Sequence, residues 1–152
     1  MIKIHYYKIM NHKNPKSNKK GFKRLAVLYS NEEYGLGFEQ VLKKSFVSLG
    51  GQIVASESFE RGATDIRTQI TKIKAVNPEA VYLISNSLDS AVAALRQIKE
   101  LSLEVTVFSA EGLKNANLIN GAKDAAEGMI VASVTSGTSD FLDRHQAEYQ
   151  AG

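Results

Sequence analysis

The chain has 152 residues, 19 of them basic and 16 acidic, for a formal net charge of +3. That length suits one domain with a core of its own, and 43% hydrophobic with 23% charged residues is the composition of a globule rather than of a disordered chain. No apolar run reaches the roughly 18 residues of a membrane span, so the chain is not integral to a membrane, and without cysteine there is no disulfide scaffold, cysteine-ligated zinc or thiol nucleophile.

The charge is unevenly placed. Residues 1–24 carry eight basic side chains and no acid, and the remaining 128 residues carry 11 basic and 16 acidic, a net −5. Residues 1–22 therefore read as a basic, disordered lead-in and 23–152 as the folded part. A basic head suits nucleic acid or anionic lipid as well as plain solvation, and solvation is the expectation, with no nucleic-acid partner. Lys3, His5 and Lys8 break any apolar signal-peptide core, and Pro15, Ser17 and Asn18 interrupt any amphipathic helix.

The folded part alternates between two periodicities. Residues 25–29 (LAVLY) form a continuous apolar run, the mark of a strand covered on both faces. Ser30 and Glu33 have capping-box spacing, and Phe38, Val41, Leu42, Phe46 and Leu49 recur at helical spacing until Gly50-Gly51. Residues 52–59 give a second strand. Thr64-Asp65 is the expected cap of a second helix marked by Ile66, Ile70 and Ile73 and closed by Asn77-Pro78. A third strand spans 80–84, with Ser85-Asn86-Ser87 as its exit. Ala91, Val92, Leu95, Ile98 and Leu101 mark a third helix. A fourth strand at 105–108 leaves through 109–112, a short helix covers 115–126, and a fifth strand spans 129–134. A turn at 136–139 and a last helix from Phe141 to Tyr149 complete the expectation.

Strands separated by helices predict an α/β fold. It is a doubly wound parallel sheet of about five strands in the order 2-1-3-4-5, with helices on both faces. Ligands of such sheets sit beyond the carboxyl ends of the strands. The loops there exclude several chemistries. Gly35 and Gly37 form only part of a dinucleotide fingerprint, and no phosphate-binding GxxxxGK[ST] occurs. His5, His12 and His145 all lie away from strand exits, so neither a metal site nor a histidine-based triad is expected. Glu32 and Glu33 make an acidic pair, but the third strand ends in Ser85-Asn86 rather than Asp and no Lys ends the fifth, so a phospho-receiver site fails. A cap role for Glu33 accounts better for the pair. No cofactor and no enzymatic activity are expected.

What remains at the rim is Tyr34, Ser85, Asn86, Ser87 and Glu111. A phenol, an amide, hydroxyls and a carboxylate suit a small polar ligand, with Glu111 facing an ammonium group. Each residue has a plainer alternative: Tyr34 as a lid on the sheet edge, Asn86 as a turn residue, Glu111 as a solvated carboxylate.

Lys23-Arg-Leu-Ala-Val-Leu-Tyr29 and Tyr34-Gly-Leu-Gly37 resemble the start of the second lobe of periplasmic substrate-binding proteins of branched-chain amino-acid ABC transporters, the type I periplasmic-binding fold. So do Phe59-Glu-Arg-Gly-Ala-Thr-Asp65, Ala80-Val-Tyr82, Leu95-Arg-Gln97, Ser109-Ala-Glu-Gly112 and Ala126-Glu-Gly-Met129. The resemblance covers about residues 20–152. It implies a non-enzymatic lobe that captures an amino acid or related small polar solute for an ABC permease, with the intact protein periplasmic or lipid-anchored. It also implies that Glu111 holds the ligand ammonium and Tyr34 packs over it. Where leucine-binding relatives often place aromatics, Ser85-Asn86-Ser87 stands, which points to a more polar ligand. The first lobe is missing, as is the continuation beyond Tyr149, so the chain reads as a truncated second lobe. The same fold also serves ligand-sensing receptor and regulatory domains.

Overall fold

The computed structural model describes residues 13–14, 19–110 and 116–132. Five parallel strands form the central sheet: β1 (Arg24–Ser30), β2 (Gln52–Phe59), β3 (Ala80–Ile84), β4 (Thr106–Ala110) and β5 (Ile130–Ala132), in the order β2-β1-β3-β4-β5. This is the order expected from the sequence. The helices are α1 (Glu33–Ser48), α2 (Arg67–Ala75), α3 (Leu88–Glu100) and α4 (Ala116–Ala122), the last continued by a 3-10 turn at Lys123–Ala126. A two-stranded antiparallel ribbon pairs Lys13–Asn14 with Lys19–Lys20 ahead of the sheet. The expected turn at 136–139 and the helix at 141–149 lie outside the described residues.

The apolar runs of β1 and β3 bury both faces, and successive residues divide between two layers. Ala26, Leu28, Val81, Leu83 and Val107 point into the layer shared with Ile66, Ile70 and Ile73, with Ala91, Ala94, Leu95 and Ile98 of α3, and with Leu118 and Ala122 of α4. Leu25, Val27, Ala80, Tyr82, Ile84 and Phe108 point into the other layer, where α1 supplies Leu42 and Phe46. The topology explains why α1 stands apart. The chain steps outward from β1 to β2, then back past β1 to β3, β4 and β5. Right-handed crossovers in opposite directions place their helices on opposite faces.

Phe22, the last residue of the basic head, is fully buried in the α1 layer. Its ring meets Phe108 edge-on at 5.3 Å and 84°. The backbone behind it is fixed by Glu79, whose Oε1 accepts from the Lys23 and Arg24 amides at 2.7 and 2.8 Å.

Two helix starts differ from the expected ones. β1 runs through Ser30, so the cap of α1 is Glu32 and not Ser30, and Glu33 lies in the first turn without the cap role expected of it. In α2 the cap position is Ile66, which has no side chain able to cap. The task falls to Gln97 of α3, buried and 31 residues away in sequence. Its Oε1 accepts from the Ile66 amide and its Nε2 donates to the Thr64 carbonyl, both at 2.7 Å. Asp65 instead pairs with Arg67 at 3.1 Å, and Arg67 also reaches Glu100 at 2.9 Å. The end of α2 is as expected: Asn77 takes the left-handed conformation (φ 50°) after the helix, and Pro78 follows.

Two core substitutions test this layering by chemical denaturation. Phe22→Ala removes a fully buried ring and should cost about 3–5 kcal/mol. Gln97→Leu strands the Ile66 amide and should cost about 1–3 kcal/mol, a loss that an exposed substitution such as Gln40→Leu does not reproduce.

Candidate functional site

The strand registers set the level of the rim. Ser30 lies opposite Phe59, Tyr29 opposite Ile84, and Leu83 opposite Ser109, so β1, β2, β3 and β4 reach their carboxyl ends together. The loop after β1 and the loop after β3 therefore leave from neighbouring strands at the same end. Tyr34 lies in the first turn of α1, just past the first of these loops, and Ser85, Asn86 and Ser87 form the second. The expected ligand residue after β4, Glu111, lies outside the described residues.

Tyr34 is held from two sides. Its backbone amide donates to Glu32 Oε2 at 2.9 Å, while Glu32 Oε1 accepts from the Gly35 amide at 2.9 Å and the Ser30 hydroxyl at 2.7 Å. Burial alone would raise the Glu32 carboxyl. The Ser30 hydroxyl, the Tyr34 and Gly35 amides and the charge of Arg61 outweigh it and hold the group below the usual carboxylate range. The positive end of α1 is thus already filled by the chain's own carboxylate. Gly35 locks the junction sterically, because a Cβ there would lie 2.0 Å from the Ser30 carbonyl oxygen. The Tyr34 side chain is 41% exposed. Its ring stands 6.0 Å from Phe38, and Phe38 stands 5.6 Å from the fully buried Tyr82. Partial burial and the nearby Glu32 charge push the Tyr34 phenol above the ordinary tyrosine range, so at neutral pH it is a neutral group able to donate and accept.

The three residues after β3 have unequal parts. Ser85 is buried, and its hydroxyl donates to the Ser87 carbonyl at 2.8 Å and accepts from the Ser87 amide at 3.1 Å. The Ser87 hydroxyl accepts from the Ser90 amide at 3.3 Å, capping α3. Asn86, between them, is exposed. The loop is therefore a closed turn that turns one amide outward.

The sequence pattern did not single out Phe38 and Tyr82 as supports of this rim. Phe38 reads as one more residue of an amphipathic stripe and Tyr82 as an ordinary core residue. The four-residue step from Tyr34 to Phe38 is the signal that could have found the ring pair. Among the described residues, no group of three or more His, Cys, Asp or Glu side chains is placed to hold a metal ion, and no helix is long and apolar enough to cross a membrane. A cavity of about 490 Å³ opens away from the rim, near the amino ends of β4 and β5, among residues such as Leu95, Ile98, Val105 and Met129.

The periplasmic binding protein family model matches residues 16–152. The leucine-, isoleucine-, valine-, threonine- and alanine-binding protein of Pseudomonas aeruginosa is 30% identical over 108 residues, which is 71% of this chain and 29% of that protein. The Leu/Ile/Val-binding protein of Escherichia coli is 25% identical over 108 residues, again 71% of this chain and 29% of that protein. Among solved structures, a leucine-binding protein from Thermotoga maritima superposes with a TM-score of 0.71 at 21% identity, covering 96% of this chain and 42% of its own. A branched-chain amino acid transporter substrate-binding protein from Streptococcus pneumoniae, solved with isoleucine, gives 0.67 at 22%, covering 94% and 42%. The chain thus spans less than a third of the length of these curated relatives.

The Glu32 cap predicts an acid dependence. A carboxyl held below its unfolded value adds stability above the ordinary glutamate range and loses it as the pH falls through the lower folded value. Glu32→Gln should flatten stability over that acid interval, and at neutral pH it should cost about 1 kcal/mol, the usual worth of a helix cap. Denaturation at a series of pH values measures both.

Proposed function

The chain belongs to the periplasmic binding protein family, and from that premise we propose that it is lobe material of a solute-binding protein that captures an amino acid or a related small polar solute for an ABC permease. It performs no chemistry on the solute. The observation that supports this reading is that Tyr34, its backbone held by Glu32, and the exposed Asn86 both follow the carboxyl ends of adjacent strands that finish at one level. In this reading Tyr34 packs on the solute or hydrogen-bonds to it, Asn86 meets its polar atoms, and Glu111 pairs with its ammonium group. Ser85 and Ser87 serve the site by holding Asn86, since both hydroxyls are engaged within the turn.

Glu32 supports the same orientation of the solute. It occupies the amino end of α1, where the helix dipole would otherwise favour a carboxylate. The solute's own carboxylate therefore finds the amino end of α1 already taken, and in this reading the lobe meets the ammonium and side-chain portions. The contacts to the carboxylate come from outside this chain. The polar Asn86 favours a solute with a polar side chain over a branched aliphatic one.

Half of a cleft supplies half of the contacts, so isolated-chain affinity should be weaker than about 1 mM, corresponding to no more than about 4 kcal/mol of binding free energy. Calorimetry against serine, threonine, glutamine, leucine and isoleucine tests this. Micromolar binding by the chain alone overturns the half-site account, and a preference for leucine over glutamine overturns the polar assignment.

A further inference from the structure

We propose that Phe38 is the positioning residue of the rim, fixing the Tyr34 ring against the core through Tyr82. The part of this that concerns a bound solute rests on the reading of Tyr34 given above. The part that concerns the ring does not.

The geometry is a ladder of three rings. Tyr34 sits in the first turn of α1 and Phe38 one turn later on the same flank, with ring centroids 6.0 Å apart and planes inclined at 56°. The next step, from Phe38 to Tyr82, is 5.6 Å at 36°. Both separations fall in the range where tilted aromatic pairs attract. Tyr82 is fully buried on β3, between β1 and β4, so the far end of the ladder is immobile. Burial first, and then the proximity of Tyr34, raise the Tyr82 phenol far above its ordinary value.

The Tyr34 ring is partly exposed, and Phe38 is the ring it meets one turn along α1. The Tyr34 backbone is pinned by Glu32 and by the close approach of Gly35 to Ser30. Next along the helix, Gly37 has no side chain, and a Cβ placed there would meet nothing within 4 Å. The helix surface at Gly37 is therefore open. A ring with a fixed backbone and a free χ1 loses rotamer entropy whenever it is captured by a solute. Phe38 removes that loss in advance.

The variants are Phe38→Leu, Phe38→Tyr as the conservative replacement, and Val41→Ala as a control at an exposed site farther along α1. Thermal melts establish that each is folded, and Phe38→Met, apolar but without a ring, replaces Phe38→Leu in both readouts if that variant does not fold. The first readout is the NMR relaxation of the Tyr34 ring, assigned with Tyr34→Phe, together with its phenol titration. Phe38→Leu should increase ring motion and bring the phenol back toward the ordinary tyrosine value, while Phe38→Tyr and Val41→Ala preserve both. The second readout is titration with L-serine and L-glutamine at millimolar concentrations, followed on the Tyr34 resonances. Phe38→Leu should weaken binding roughly threefold to tenfold, the share an aromatic pair contributes beyond its buried area.

An equally ordered Tyr34 ring in Phe38→Leu overturns the proposal, as does a mobile ring with unchanged affinity. A mobile ring in Phe38→Leu, combined with no response of wild-type Tyr34 to either amino acid, upholds the ring support and instead sinks Tyr34 as a solute contact.

Discussion

The junction between β1 and α1 is where the core and the rim meet. Ser30 ends the strand, Glu32 caps the helix and Gly35 brings the helix against the strand's last carbonyl. These contacts cooperate. The Ser30 hydroxyl orients the Glu32 carboxylate, that carboxylate takes two of the four unpaired amides of the helix start, and only a glycine at 35 lets the helix come close enough. The direction of α1, the burial of Leu42 and Phe46 beneath it and the placement of Tyr34 at the rim all follow from this turn. A local cap thus reaches the rim, because it fixes the backbone of Tyr34, an exposed aromatic residue.

The two faces of the sheet are built differently. One carries α2, α3 and α4, tied together by the Gln97 amide and by the Arg67 pairs with Asp65 and Glu100. The latter are surface pairs and contribute little, whereas Gln97 satisfies a buried amide and is costly to lose. The other face carries α1, and Phe22 extends its cover to Phe108 on β4. That face also holds the ring ladder, so the support of Tyr34 is continuous with the core rather than a surface ornament.

Charge divides along the same line as structure. The basic head accounts for the overall +3, and the remainder carries −5. Phe22 and Glu79 fix the chain at the start of β1, whereas the candidate rim is formed where the strands end.

The amino-acid sequence by itself determined the strand and helix order, the limits of β2 and β3, the close of α2 and the 2-1-3-4-5 sheet. Apolar periodicity, glycine stops and the Asn77-Pro78 ending are local signals, and crossover handedness turns them into a topology. The positions of Tyr34 and Asn86 after the carboxyl ends of β1 and β3 were legible for the same reason. Tertiary structure alone decided the rest. Glu32 replaced the expected cap because β1 continues one residue further, through Ser30. Gln97 caps α2 from another helix, a partnership with no trace in local spacing. Phe38 became a ring support only once β3 set Tyr82 beneath it. Hydrogen bonds and ring contacts between residues far apart in the chain depend on where the sheet puts them, and periodicity has no term for that distance.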